Sequence, residues 1–326
     1  MAELRYNPIN REWVMVASHR QNRPNMPEHW CPFCPGSGRV PDEGFEVLRY
    51  LNDFPALSQM PPVPDDVATD LFRTRPAYGR CEVLLYSDRH DALLRDLSDE
   101  HVHKLARLWL DCFNELAADE QIKYVYLFEN RGEAVGVTMP HPHGQAYGYS
   151  FVPKKLEQEI VSAREHYAAT GRCLFCKLLT EEKKVGQRIL FSNAGFTAFV
   201  PFFSPITYGV QVMANRHMST LAEMTEAEIN FLGEIVRDCA GMFDNLFGTA
   251  FPYMMCMHNA PVNGQDCAAF YHFHIEFFPP MRSADKQQFF AASEMGAGAW
   301  CNPNDPEQKA DELRAAYQKF CASKKG

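Results

Sequence analysis

Long apolar runs are missing from this chain. No stretch of roughly 18 consecutive apolar residues occurs, which argues against a membrane-spanning helix. The opening "MAELRYNPINREWVMVA" lacks the apolar centre of a secretory signal, so export is not expected. Low-complexity segments are absent, and strand–helix–strand crossovers of the parallel kind are few. Positive charge is also scarce: 32 Lys and Arg stand against 41 Asp and Glu, a formal charge of -9. That balance, with no basic face, argues against a nucleic-acid partner. A small anionic ligand stays open, because local Arg and Lys decide that.

What is present is apolar material and thiols. Of 326 residues, 46% are hydrophobic, enough for two domains or one large α/β unit. Eleven cysteines without an export signal point to reduced thiols in a cytoplasmic protein, with metal binding as their special use.

The chain is written twice. The first half runs "CPFC" (Cys31 to Cys34), "CEVLLYSDRH", a helical stretch, "YVYLFENRG" and "PHPHGQAYGYSFVP". The second runs "CLFC" (Cys173 to Cys176), "GVQVMANRH", a helical stretch, "FPYMMCMHN" and "YHFHIEFFPP". Ser98 and Thr225 are predicted N-caps, each followed by acidic residues and an apolar pattern at helical spacing. The β-rich runs, at hairpin-like spacing, predict an α+β fold with an antiparallel sheet and helices packed against it. The expected division is into residues 1–163 and 164–326, with "REHYAATGRC" (Arg164 to Cys173) as the boundary.

Each copy carries donors for a tetrahedral zinc. Cys31 and Cys34 supply two thiolates, His90 a third ligand and His141 a fourth. By the same logic Cys173, Cys176, His217 and His272 form a second site. The alternative for each Cys-x-x-Cys is a pair of buried thiols in a turn.

"PHPHGQ" (Pro140 to Gln145) carries the chemistry. Residues two apart on a strand share a face. His141 can therefore hold metal and brace the segment, while His143 presents a lone pair to substrate. A histidine nucleophile suits nucleotidyl transfer, because a phosphoramidate splits one displacement into two. A backbone carbonyl can fix its tautomer. Gly144 is expected to let a phosphate approach the backbone, and Gln145 to donate to a non-bridging oxygen. In the second copy Ile275 and Glu276 follow His274, so His274 is read as structural or as a wall of the ligand site.

The stretch "FENRGEAVGVTMPHPHGQAYGYSFVP" (Phe128 to Pro153) resembles the galactose-1-phosphate uridylyltransferase family, a branch of the histidine-triad superfamily. "RYNP", "HRQNRP", "NDFPAL", "CPFC", "HNAPVNG" and "SEMGAG" extend the likeness over most of the chain. The resemblance implies a duplicated histidine-triad-like fold. It also implies a two-step exchange: His143 takes UMP from UDP-glucose, and galactose 1-phosphate then takes it from the histidine. Catalytic roles fall to His143 and Gln145. Substrate contacts fall to Arg20, Arg23, Asn52, Asp53, Asn130, Gly136 and Thr138. Family members are homodimers, and the segment with Gln288, Phe289 and Glu294 would reach the hexose. The chain departs from many members at Gln288 and Ser293, where they have Lys and Tyr, which leaves the hexose open. Some members hold a second metal with a glutamate and histidines. Glu159 and His258 match part of that set, and His274 or Glu276 aligns with its last histidine. The complete Cys-Cys-His-His quartet of the second half also resembles plant-type ADP-glucose phosphorylase. The rival readings are a nucleotide-sugar phosphorylase, which uses orthophosphate as acceptor, and a zinc-knuckle module without catalysis.

Overall fold

The computed structural model describes residues 2–22 and 30–324. Among them, no helix is long and apolar enough to cross a membrane. In chain order the elements are β1 (Ala2–Asn7), β2 (Glu12–Ala17), β3 (Leu48–Leu51), β4 (Thr74–Pro76), β5 (Gly79–Leu85), α1 (Asp99–Ala117), β6 (Tyr124–Arg131) and β7 (His143–Tyr149). They continue with α2 (Lys154–Thr170), α3 (Leu174–Val185), β8 (Ile189–Ser192), β9 (Phe196–Phe199) and β10 (Val210–Ala214). The last are α4 (Glu226–Asp244), β11 (Tyr253–His258), β12 (His274–Phe278) and α5 (Pro306–Ser323).

Nine strands form one antiparallel sheet in the order β3-β5-β7-β6-β11-β12-β10-β9-β8. The duplication is visible in that order. Moving inward from each side, β3-β5-β7-β6 matches β9-β10-β12-β11, so both halves place their strands in the spatial sequence first, second, fourth, third. The halves join where β6 pairs with β11, from Tyr253↔Arg131 to Met257↔Leu127. The α+β expectation with a duplicated fold therefore holds. A separate three-stranded sheet, β2-β1-β4, comes from the N-terminal hairpin.

Both repeat helices start at the predicted caps. The Ser98 hydroxyl accepts from the His101 amide, and Thr225 accepts from Glu228 within a capping box. The buried residues of α1 and α4 recur at helical spacing and cover one face of the sheet in a single apolar core. The helices cross where Gly233 meets the Val102 backbone, with no space for a side chain. The division expected between residues 163 and 164 falls inside α2. The polar stretch after it is the exposed end of that helix, which buries only Leu156, Ile160 and Ala163 and stops at the left-handed Gly171.

Strand alternation separates two kinds of environment. On the helix-covered face, Leu84, Ala146, Val125, Leu127, Met255, Met257 and Ile275 enter the apolar core. Odd positions of β7 point to the opposite face, which carries His143, Gln145, Tyr147 and Tyr149. Gly144 consequently faces the helices. A Cβ there would overlap the Tyr86 hydroxyl and press on two ring atoms at 3.0 and 3.1 Å. This corrects the expected role of Gly144. Its missing side chain makes room for Tyr86, on the side of the strand away from His143.

The helix face also buries charge at the seam. Arg131 pairs with Asp244, which also receives Arg95 and the Phe251 amide. Glu129 accepts from the Tyr253 hydroxyl at 3.2 Å. Its burial pushes the carboxyl up to about 7, against the opposing pull of Arg131.

Two predictions follow from this packing. Between the ordinary carboxyl range and about pH 7, the unfolded chain releases the Glu129 proton while the native chain keeps it. Stability should fall as pH rises through that window and then level off. Relative to the parent, Glu129→Gln should gain up to about 3 kcal/mol between about pH 5 and about pH 8 in urea unfolding; an unchanged difference would show that Glu129 is ionised throughout. Gly144→Ala should cost about 1–3 kcal/mol. Adding Tyr86→Phe, which removes the nearest atom, should restore part of that loss in the same assay.

Candidate active site and metal centres

The histidine motif enters β7 from a constrained turn. The Tyr86 amide donates to the Pro142 carbonyl at 3.0 Å, and the Tyr86 carbonyl accepts from His101 Nε2 at 2.7 Å. β7 pairs with β5 in a register that sets Leu85 opposite His143 and Val83 opposite Gln145. The two histidines thereby acquire different surroundings. His141 is buried, and burial lowers its pKa and keeps the ring neutral. His143 is half-buried at the start of the strand.

Hydrogen bonds assign the tautomers. His141 Nε2 donates to the Ser87 carbonyl at 2.7 Å, which leaves the Nδ1 lone pair facing Cys31 and Cys34 at 3.8 and 3.6 Å. His143 Nδ1 donates to the His141 carbonyl at 2.8 Å, so the lone pair lies on Nε2. Phe33, inside the cysteine turn, packs against both rings with centroids 6.0 and 5.9 Å away.

The expected ligands converge in both halves. Cys31, Cys34, His90 and His141 place their donor atoms within 4.8 Å of one another, and so do Cys173, Cys176, His217 and His272. Cys34 Sγ lies 3.5 Å from His90 Nδ1. Cys176 Sγ lies 3.3 Å from His217 Nδ1 and 3.4 Å from His272 Nδ1. The paired rings stand 5.6 Å apart at 76° in the first cluster and 5.4 Å apart at 73° in the second. Both far nitrogens of the second pair donate to backbone, to Ala268 at 2.7 Å and Ala214 at 3.0 Å. The thiols differ. Burial pushes Cys31 up to about 11. Cys173, at the N-cap of α3, is pulled well below the usual thiol range by its hydrogen bond with Cys176, whose own pKa rises.

Other expected site residues fall into groups. Gln145 Oε1 accepts from the Tyr147 hydroxyl at 3.3 Å, and that hydroxyl oxygen receives Arg20 Nη1 at 3.4 Å. Arg20, Tyr147 and Gln145 therefore form one chain beside His143. Arg23 lies outside the described residues. Asn52 and Asp53 follow β3: Asn52 Oδ1 accepts from the Phe54 amide, and Asp53 accepts from Tyr50, whose ring meets Phe33. Asn130 is the penultimate residue of β6, on the His143 face, and Gly136 takes the left-handed conformation after the turn Glu133–Val135. Thr138 is exposed beyond it. Gln288, Phe289 and Glu294 group elsewhere, on the C-terminal half. Gln288 accepts from the Thr207 amide, Glu294 accepts from the Ala291 amide, and Phe289 is 76% exposed. The neighbouring Gln287, not foreseen, donates to the Ala134 carbonyl at 3.0 Å. Tyr147 and Phe33 were also missed, although alternation on β7 and the Cys-x-x-Cys turn mark both.

The second copy preserves the first geometry and then buries it. His274 Nδ1 donates to the His272 carbonyl at 2.9 Å, the counterpart of the His143 bond. Phe175 packs on His274 at 4.9 Å, as Phe33 does on His143. His274 is nevertheless buried, and with Glu159, His258 and Glu276 it forms a third cluster whose donor atoms lie within 4.8 Å of one another. A cavity of about 1010 Å³ opens above it, walled by Tyr126, Phe175, Phe278 and Trp300.

Comparison with known proteins accords with this arrangement. Residues 1–153 match the family model of the galactose-1-phosphate uridyl transferase N-terminal domain, and residues 155–324 that of its C-terminal domain. The galactose-1-phosphate uridylyltransferase of Thermotoga maritima is 37% identical over 96% of this chain and 98% of its own. A solved uridylyltransferase superposes with a TM-score of 0.89 at 32% identity, covering 97% of this chain and 99% of its own. An ADP-glucose phosphorylase from Arabidopsis thaliana shares the fold, with a TM-score of 0.75 at 22% identity over 96% of this chain and 99% of its own. Two adjoining family models that together span nearly the whole chain, and a relative of this similarity, establish that the chain belongs to the galactose-1-phosphate uridylyltransferase family.

Proposed function

We propose that the protein transfers UMP from UDP-glucose to galactose 1-phosphate through a uridylylated His143. In the first step His143 Nε2 attacks the α-phosphorus, a nitrogen–phosphorus bond forms, and the bond to the departing glucose 1-phosphate breaks. In the second, a phosphate oxygen of galactose 1-phosphate attacks the same phosphorus and releases the imidazole with UDP-galactose. The observation that carries this reading is the 2.8 Å bond from His143 Nδ1 to the His141 carbonyl. It holds the lone pair on Nε2 and stabilises the positive ring that forms when nitrogen bonds phosphorus.

Gln145 stands two residues along the same face. With its Oε1 engaged by Tyr147, its amide nitrogen is the group left to donate to a phosphoryl oxygen. Arg20 brings positive charge to the same chain of side chains, which suits the phosphates of the substrate. Asn52 and Asp53, on the far side of Phe33, suit the nucleoside, and Asn130, Gly136 and Thr138 line the approach. Gln288, Phe289 and Glu294 are offered to a second copy of the chain, whose site they complete at the hexose.

Zinc is the metal that both Cys-Cys-His-His clusters suit. Thiolate and imidazole ligands around tetrahedral zinc imply sulfur–nitrogen separations of about 3.6 Å. The observed values run from 3.3 to 3.8 Å. In the first half zinc would brace His141 and hence the carbonyl that orients His143. In the second it would hold the start of α3 against β12. Both roles are structural, and no bond change in the reaction involves either ion.

Two experiments test the proposal. Incubation with UDP-glucose labelled in the uridylyl group should leave acid-labile label on the protein, chased by galactose 1-phosphate; release by orthophosphate instead would favour the phosphorylase reading. His143→Gly should retain no label and lose at least about 10⁴-fold in turnover. Elemental analysis should find about two zinc per chain, with Cys31→Ser and Cys173→Ser each losing about one. Cys31→Ser should also lower turnover, because it loosens the brace.

A further inference from the structure

We infer that the third cluster excludes a metal ion and that Lys155 supplies its cation. The two zinc-type clusters, read as such above, serve as the standard of comparison. In them the imidazoles with an assigned far nitrogen bond backbone with it, so their lone pairs converge on the thiols, and among the described residues no Lys or Arg side chain bonds a donor atom. The third cluster is built otherwise. Lys155 forms an ion pair with Glu276 Oε2, and Gln211 donates to Glu276 Oε1 at 3.0 Å. Both oxygens of that carboxylate are therefore engaged. Tyr271 donates to Glu159 Oε2 at 2.9 Å, and His258 Nδ1 meets the same oxygen at 3.1 Å. His258 Nε2 faces Glu276 at 3.7 Å, so this ring stands between two carboxylates with one nitrogen toward each. His274 Nε2 lies 3.9 Å from Glu159.

Charge balance agrees with the geometry. Two carboxylates face the Lys155 ammonium, and a divalent ion beside that ammonium would leave the cluster with excess positive charge. Family members that hold a second metal through a glutamate and histidines would need this position clear. Here Glu276 and His274 both enter the cluster from one face of β12, and the carboxylate recruits the lysine. The network does what a bound ion would otherwise do. Lys155 and Glu159 lie on α2, whereas His258 and Glu276 lie on β11 and β12, so the ion pairs fasten the connecting helix to the sheet.

Metal stoichiometry of the full-length chain tests the inference, with zinc(II) and iron(II) offered in excess under anaerobic conditions. His258→Ala should carry the same metal content as the parent. Lys155→Met, or Lys155→Gln if the first folds poorly, should melt lower without added metal. It should bind about one further ion per chain, with partial recovery of Tm. Adding His258→Ala should abolish that extra ion. A parent chain whose metal content drops in His258→Ala would overturn the inference, and so would a folded Lys155 variant that gains no ion. Failure of the zinc reading shows up separately, as content unaltered by Cys31→Ser and Cys173→Ser.

Discussion

A hydrogen bond at the entry to β7 governs this molecule: His143 Nδ1 to the carbonyl of His141. It joins a ring that needs rigidity to a ring that can be held by metal. His141 precedes β7 and His143 opens it, so the bond sits where the strand begins. That start depends in turn on the Tyr86–Pro142 backbone bond and on Gly144 yielding its side-chain space to Tyr86. The position of the His143 ring is thus set by its strand and by the tyrosine behind it. This is rigid support of the kind that covalent catalysis at phosphorus requires, since the attacking lone pair must stay aligned through two displacements.

The duplication shows how little separates a half-buried histidine from a buried one. His274 has the same Nδ1 bond to the preceding brace histidine, the same phenylalanine against its ring, and the same place on its strand. What differs is the neighbourhood across the sheet. Around His274 stand Glu159, His258 and Glu276, and burial lowers its pKa to about 4. A negatively lined, enclosed ring is a poor attacker of an anionic phosphate, whatever its tautomer. The second copy has turned the same scaffold into a fastening for α2.

Much of this could be read directly from residue order. The caps at Ser98 and Thr225 and the apolar stripes of the repeat helices rest on local spacing, the two Cys-Cys-His-His quartets rest on the repeat, and all appear as expected. Helix α2 was harder, because its polar, weakly amphipathic sequence resembles a linker and only three buried residues anchor it. Gly144 was misjudged for a different reason. A glycine beside a nucleophile invites a ligand explanation, and only the pleat of β7 shows that its open side faces Tyr86.

Sequence alone determined the repeat and the donor sets of both cysteine clusters, and it is the source of the proposal that His143 rather than His141 is the nucleophile. Each depends on short spacings, Cys-x-x-Cys and His-x-His, that recur in the same order in both halves, and such order survives in a linear string. Tertiary structure alone decided how His274 is buried among Glu159, His258 and Glu276, where Lys155 sits, and why Gln287 rather than Gln288 reaches the loop before the histidine motif. Those outcomes depend on groups far apart in the chain that meet only when β6 pairs with β11 and α2 folds back across the seam.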